Sequence, residues 1–215
     1  MKTHKQEFIE LLSGLDKIER KLREPRVQTY LERNVQLICP EHYIAPRMVI
    51  SKLRVGADFA CDFAYFAPVS GANYLNLVEI KDPTCSLFTI KNTITSFIRD
   101  ALDQVRTNLR WASDHRPDIE SLRAELAAQF PATESGMAFA KGILYCGRRS
   151  EIESHPERRA VWQEFVSDAK KHVEIRTFDG LMQENTFAFA QTINADSEIK
   201  CYARRRRRYY LKHPN

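Results

Sequence analysis

The stretch "FACDFAYFAPVSGANYLNLVEIKDP", residues 59–83, constrains the fold of this chain more than any other. Two extended runs, Asp58 to Ala67 and Tyr74 to Lys81, are separated by "PVSGAN", which has turn chemistry. The pair reads as a β-hairpin. A turn centred between Ser70 and Gly71 sets Leu77 opposite Ala64, Glu79 opposite Asp62 and Lys81 opposite Ala60. Side chains alternate across a strand, so Asp62, Glu79 and Lys81 are expected on one face. Phe59, Cys61, Phe63 and Tyr65 are expected on the other, as core.

Helical spacing of Phe8, Leu11, Leu12, Leu15, Ile18 and Leu22 predicts a helix over Lys5 to Leu22. Pro25 breaks that pattern and can sit near the start of a second helix, with Val27, Tyr30, Leu31 and Leu37 on one side. "CPEHYIAP" reads as a loop and Met48 to Val55 as a strand. After the hairpin come a helix over Thr93 to Ser113, a helix over Asp118 to Phe130 and a strand over Lys141 to Cys146. A helix over Glu157 to Lys171, a strand over Val173 to Phe178 and a helix opened by "DGLM" complete the series. A hairpin-rich sheet followed by βαβ material predicts an α/β fold, a mixed central sheet flanked by helices. The expected organisation is an N-terminal helical lead (1–23), one domain (24–195) and a basic tail (196–215).

No apolar run reaches the roughly 20 residues of a membrane span, and the N-terminus "MKTHKQEFIELL" lacks signal-peptide character. A cytoplasmic protein without a membrane partner is expected. The five cysteines are odd in number and contain no CxxC, which predicts thiols, not disulfides or a zinc ribbon. Lys plus Arg is 33 and Asp plus Glu is 28, a net charge of +5. Arg204 to Arg208 supply that whole excess, so the basic character is local.

Two carboxylates directly opposed on a sheet repel one another. A divalent cation, Mg²⁺ or Mn²⁺, resolves the conflict, because hard cations prefer carboxylate oxygens. Asp62 and Glu79 are the candidate metal ligands, with the Ile80 carbonyl beside them. Lys81 adds a positive charge that can hold a bound water or a phosphate oxygen. Such a set suits metal-assisted phosphodiester hydrolysis. Asp58 points the same way as Asp62, but its hairpin partner would be Pro83, beyond Glu79, so Asp62 is preferred.

The pattern D…ExK resembles the PD-(D/E)XK nuclease superfamily, with its restriction-endonuclease-like fold. Cys61 stands at the motif's proline position. The stretches "YLERNVQLI", "CDFAYF", "LVEIKDPTCSLF", "ALDQVRTNLRW" and "KGILYCGRRSE…VEIRTFDGLM" resemble the C-terminal nuclease domain of the Shedu (SduA) anti-phage defence family, over roughly Tyr30 to Met182. The resemblance implies a metal-dependent nuclease, endonuclease or nickase, acting on DNA in bacterial immunity. It implies Asp62 and Glu79 as metal carboxylates, Lys81 as the catalytic lysine, Gln104 as a glutamine near the metal or phosphate, and Glu32 as an accessory metal acid. Relatives often continue Gln-x-x-x-Tyr; here Gln104 is followed by Asn108. A homo-oligomer is implied, and a separate sensor partner is expected because only a short lead precedes the nuclease segment.

Arg204, Arg205, Arg206, Arg207 and Arg208 can release counterions from a phosphate backbone, and Tyr202, Tyr209 and Tyr210 could stack on bases. Arg148, just past a strand end, is a further nucleic-acid-binding candidate. The rival to an enzyme is a non-cleaving nucleic-acid-binding or assembly subunit that retains the fold.

Overall fold

The computed structural model describes residues 3–38, 48–55, 59–69, 72–129, 138–184 and 208–211. The hairpin organises it. Strands β2 (Phe59–Val69) and β3 (Ala72–Ile80) pair antiparallel, with Ala64 opposite Leu77 and Phe63 opposite Val78, the register expected. Strand β1 (Met48–Val55) pairs antiparallel with the other edge of β2. Strands β4 (Ala138–Tyr145) and β5 (Val173–Arg176) extend the sheet in parallel beyond β3. Strand β6 (Arg208–Leu211) closes the far edge, antiparallel to β1, giving the order β5-β4-β3-β2-β1-β6.

Helices α1 (His4–Gly14) and α2 (Arg20–Arg33) cover one face of this mixed sheet, together with α7 (Phe178–Glu184). Phe8, Leu12, Val27, Leu31 and Phe178 meet Phe63, Tyr65, Val78, Ile80 and Tyr145 there. Helices α3 (Ser96–Asp114), α4 (Arg116–Gln129) and α6 (Pro156–Ala169) cover the other face, and a short α5 (Arg149–Glu153) precedes α6. Gly142 of β4 lets α3 lie close to the sheet: a Cβ there would stand 2.5 Å from Val105 Cγ1. No helix among the described residues is long and apolar enough to cross a membrane.

Three expectations are corrected. Pro25 is not the break between the first two helices; it lies inside the second, α2, which starts at Arg20. The break falls earlier, where a 3₁₀ turn at Leu15–Lys17 runs into extended Ile18, and Arg23 Nε donates to the Ile18 carbonyl at 2.9 Å. The N-terminal lead is not separate: Phe8 and Leu12 of α1 are buried in the core, and the expected boundary at residue 24 falls within α2. Cys61 packs with Ala64, Leu77 and Leu53, not with Phe63 and Tyr65; between Cys61 and Phe63 the β1–β2 ladder skips the Lys52–Asp62 pair, where Lys52 is left-handed. Cys61, Cys85 and Cys146 are buried thiols. Cys39, Cys201 and the "CPEHYIAP" loop beyond Cys39 lie outside the described residues, as do Ser70 and Gly71.

Candidate active site

The site forms where the hairpin ladder ends. The β2–β3 ladder reaches Phe63–Val78, and the Asp62 side chain replaces its next step: Ile80 N–H donates to Asp62 Oδ2 at 2.8 Å. On the other side, the β1–β2 ladder passes from Ser51–Phe63 to Leu53–Cys61 without a Lys52–Asp62 rung. Lys52 has φ +52°, in the left-handed region that residues with a Cβ avoid. Its ammonium bonds Asp62 Oδ1. Gln28 of α2 donates to the Asp62 carbonyl at 3.4 Å. Asp62 is buried, so both of its carboxylate oxygens depend on the protein for partners.

Glu79, Lys81 and Gln104 make a closed triangle. Lys81 Nζ donates to Glu79 Oε1 at 2.7 Å and to Gln104 Oε1 at 3.0 Å, and Gln104 Nε2 donates to Glu79 Oε1 at 2.8 Å. Lys81 N–H donates to the Tyr145 carbonyl at 2.9 Å, which keeps the chain extended along β4 past the last residue of β3. Both side chains therefore leave one side of the strand, as the E-x-K spacing predicts. Both bonds to the Glu79 carboxylate use Oε1; Oε2 is buried without a hydrogen-bond partner. Burial first, and the negative charge of Asp62 second, raise the Glu79 carboxyl from 4.5 to about 7. A buried carboxylate oxygen without a protein partner, beside a second acid, is an available ligand for a hard cation.

Glu24 is the group the sequence reading missed. It lies on α2, hydrogen-bonds the Asp82 backbone amide and stands within the fields of Lys81, Asp62 and Lys52. Burial is the main cause of its raised pKa. Glu32 is two turns further along α2 and accepts from Ser51 Oγ and from Gln28 Nε2, the latter at 3.3 Å. Arg148 is engaged by Asp179 of α7, with Nε 3.1 Å from Oδ1 and a second guanidinium nitrogen at 3.0 Å. Asp58 and Arg204 to Arg207 lie outside the described residues. Arg208 opens β6 opposite Ser51, which brings the end of the arginine run to the sheet edge next to Lys52.

Among the described residues no set of three His, Cys, Asp or Glu side chains is arranged to hold a metal alone. The donor set is two carboxylates, Asp62 and Glu79. That is a poor site for zinc but suits Mg²⁺ or Mn²⁺, since Mg²⁺ is commonly held by one or two carboxylates and completes its octahedron with water and phosphate oxygens. The partnerless Glu79 Oε2 supplies the structural fit. Lys81 stands beside the pair as a fixed positive charge, its side chain only 14% exposed.

A search of curated proteins found no match to the chain. Residues 21–182 match the family described as Shedu protein SduA, C-terminal; that span carries Glu24, Asp62, Glu79, Lys81 and Gln104, and the chain belongs to that family.

Proposed function

We propose that this protein is a Mg²⁺- or Mn²⁺-dependent nuclease, an endonuclease or nickase that hydrolyses DNA phosphodiester bonds in Shedu anti-phage defence in the cytoplasm. The fold assigned to it is of the PD-(D/E)XK type. The observation that carries this reading is the buried, partnerless Glu79 Oε2 beside Asp62, with the Lys81 ammonium at 2.7 Å from the other Glu79 oxygen. When bound, the ion polarises the scissile phosphate and lowers the pKa of a coordinated water.

The chain's own groups do the positioning. Ile80 N–H fixes Asp62, and the Gln104 amide fixes both Glu79 and Lys81. Lys81 offers its remaining N–H to a phosphate oxygen or to the attacking water, where it stabilises charge that develops on the pentavalent phosphorus. The arginine run supplies sequence-independent phosphate contacts, and Arg208 at its end pairs with Ser51, the neighbour of Lys52 in β1.

Incubation of the protein with plasmid DNA tests the reading. Cleavage with Mg²⁺ or Mn²⁺ is expected, abolished by EDTA and by Lys81→Ala. Salt-sensitive binding without cleavage, under either metal and with linear, nicked and single-stranded DNA, would establish the non-cleaving assembly subunit instead.

A further inference from the structure

We propose that Lys52 is a resident counter-cation which the metal must displace from Asp62, so that metal loading is coupled to the arrival of a phosphate that takes over the ammonium. This rests on the metal-dependent reading above and adds to it a residue and an order of events.

Each carboxylate commits one oxygen to the scaffold. Asp62 Oδ2 accepts from Ile80 N–H at 2.8 Å, and Glu79 Oε1 accepts from Lys81 at 2.7 Å and Gln104 at 2.8 Å. One oxygen of each acid is then left for a cation: Glu79 Oε2, which has no partner, and Asp62 Oδ1, which the Lys52 ammonium holds. Lys52 thus claims one of the two oxygens a shared ion requires. A monovalent ammonium and a divalent ion cannot share that oxygen closely, because the two positive charges repel in a partly buried setting.

The two lysines are built differently. Lys81 is 14% exposed and held by two side chains; Lys52 is 51% exposed and held by one. Lys52 can therefore swing on its flexible stem into solvent without breaking a network. The backbone supports the assignment. Lys52 is left-handed at φ +52° inside a strand, and that conformation aims its side chain at Asp62 where the ladder rung is missing. A strained residue in a strand persists only when its surroundings over-determine it. Once displaced, the ammonium faces a newly bound dication, and a phosphodiester is the anion that relieves both. Metal and nucleic acid then favour each other's binding, reciprocally.

Calorimetric titration of Mn²⁺ into the full chain tests this, without DNA and with a hydrolysis-resistant phosphorothioate DNA. Wild type, Lys52→Met, Lys52→Arg and Glu79→Gln are compared, with thermal melts to confirm folding and Lys52→Ala as a substitute should the Met variant not fold. The expected result is that Lys52→Met binds Mn²⁺ about tenfold more tightly than wild type without DNA, and gains less affinity when DNA is added. Lys52→Arg should behave as wild type. Equal Mn²⁺ affinities for wild type and Lys52→Met, with Glu79→Gln unable to bind, overturn the inference and leave the metal site standing. No Mn²⁺ uptake by any variant, with or without DNA, overturns the metal-dependent reading and this inference together.

Discussion

The Gln104 side chain bridges Glu79 and Lys81, donating to Glu79 Oε1 at 2.8 Å and accepting from Lys81 Nζ at 3.0 Å. Only a group with both a donor and an acceptor can serve a carboxylate and an ammonium at once. Gln104→Leu keeps the bulk and removes both bonds. Hydrogen bonds to charged groups contribute about 1.5–3 kcal/mol; a loss of that size from the transition state is a single-turnover cleavage rate lower by about 10- to 100-fold. An unaltered rate would show that the bridge is scaffolding alone.

Glu79 makes the metal-free protein sensitive to pH. Its carboxyl is raised from 4.5 to about 7, by burial first and by Asp62 second, against the opposing charges of Lys81 and Lys52. The native state therefore holds this proton to higher pH than the unfolded chain does. The stability it contributes is fully present below pH 4.5 and is lost as the pH rises through about 7. Urea denaturation in EDTA should show wild type losing stability across that window relative to Glu79→Gln. A difference between the two that stays constant with pH would place the Glu79 pKa near its unfolded value.

The sheet was readable because its signals are local. Alternation and a turn rich in Pro, Gly and Asn set the register that pairs Ala64 with Leu77, and the E-x-K spacing puts Glu79 and Lys81 on one side of β3. Two features escaped because they depend on neighbouring strands and helices. The missing rung at Lys52–Asp62 arises from a left-handed lysine that no propensity predicts, and it sends Cys61 to the opposite core. Glu24 escaped because Pro25 reads as the break between two helices, which leaves residue 24 between them. With α2 beginning at Arg20, Glu24, Gln28 and Glu32 recur at four-residue spacing beside buried Val27 and Leu31. That polar stripe on a buried face was the available signal.

Gly147 lies two residues past the end of β4, the strand whose Tyr145 carbonyl accepts the Lys81 N–H. Its φ is +56°, and a Cβ there would stand 2.5 Å from both Cγ and Cδ2 of Leu87. Leu87 is fully buried, so it has little room to withdraw. Gly147→Ala combines a left-handed alanine with overpacking and should lower stability by about 2–4 kcal/mol, read from denaturant midpoints at unchanged m-value. A loss under about 0.5 kcal/mol would mean that the turn and Leu87 relax freely.

Arg148 and the arginine run should separate cleanly in their effects. Arg148 is only partly exposed and grips Asp179, whose Oδ2 also accepts the Arg149 N–H at 2.6 Å; together they fasten α7 to the turn after β4. Arg148→Ala should therefore cost about 1 kcal/mol of stability, a few degrees in melting temperature, and Asp179→Ala should cost more, since it also removes the acceptor of the Arg149 N–H. The double variant should lose less than the two single losses combined, since the Arg148–Asp179 pair is already broken in each single variant. Replacing Arg204 to Arg208 with alanine should flatten the dependence of log K on log salt for duplex DNA, by about 0.9 for each phosphate that is no longer neutralised. If Arg148→Ala flattens that slope instead, the guanidinium leaves Asp179 to meet the backbone of the nucleic acid, and the ion pair is a resting state of a binding residue.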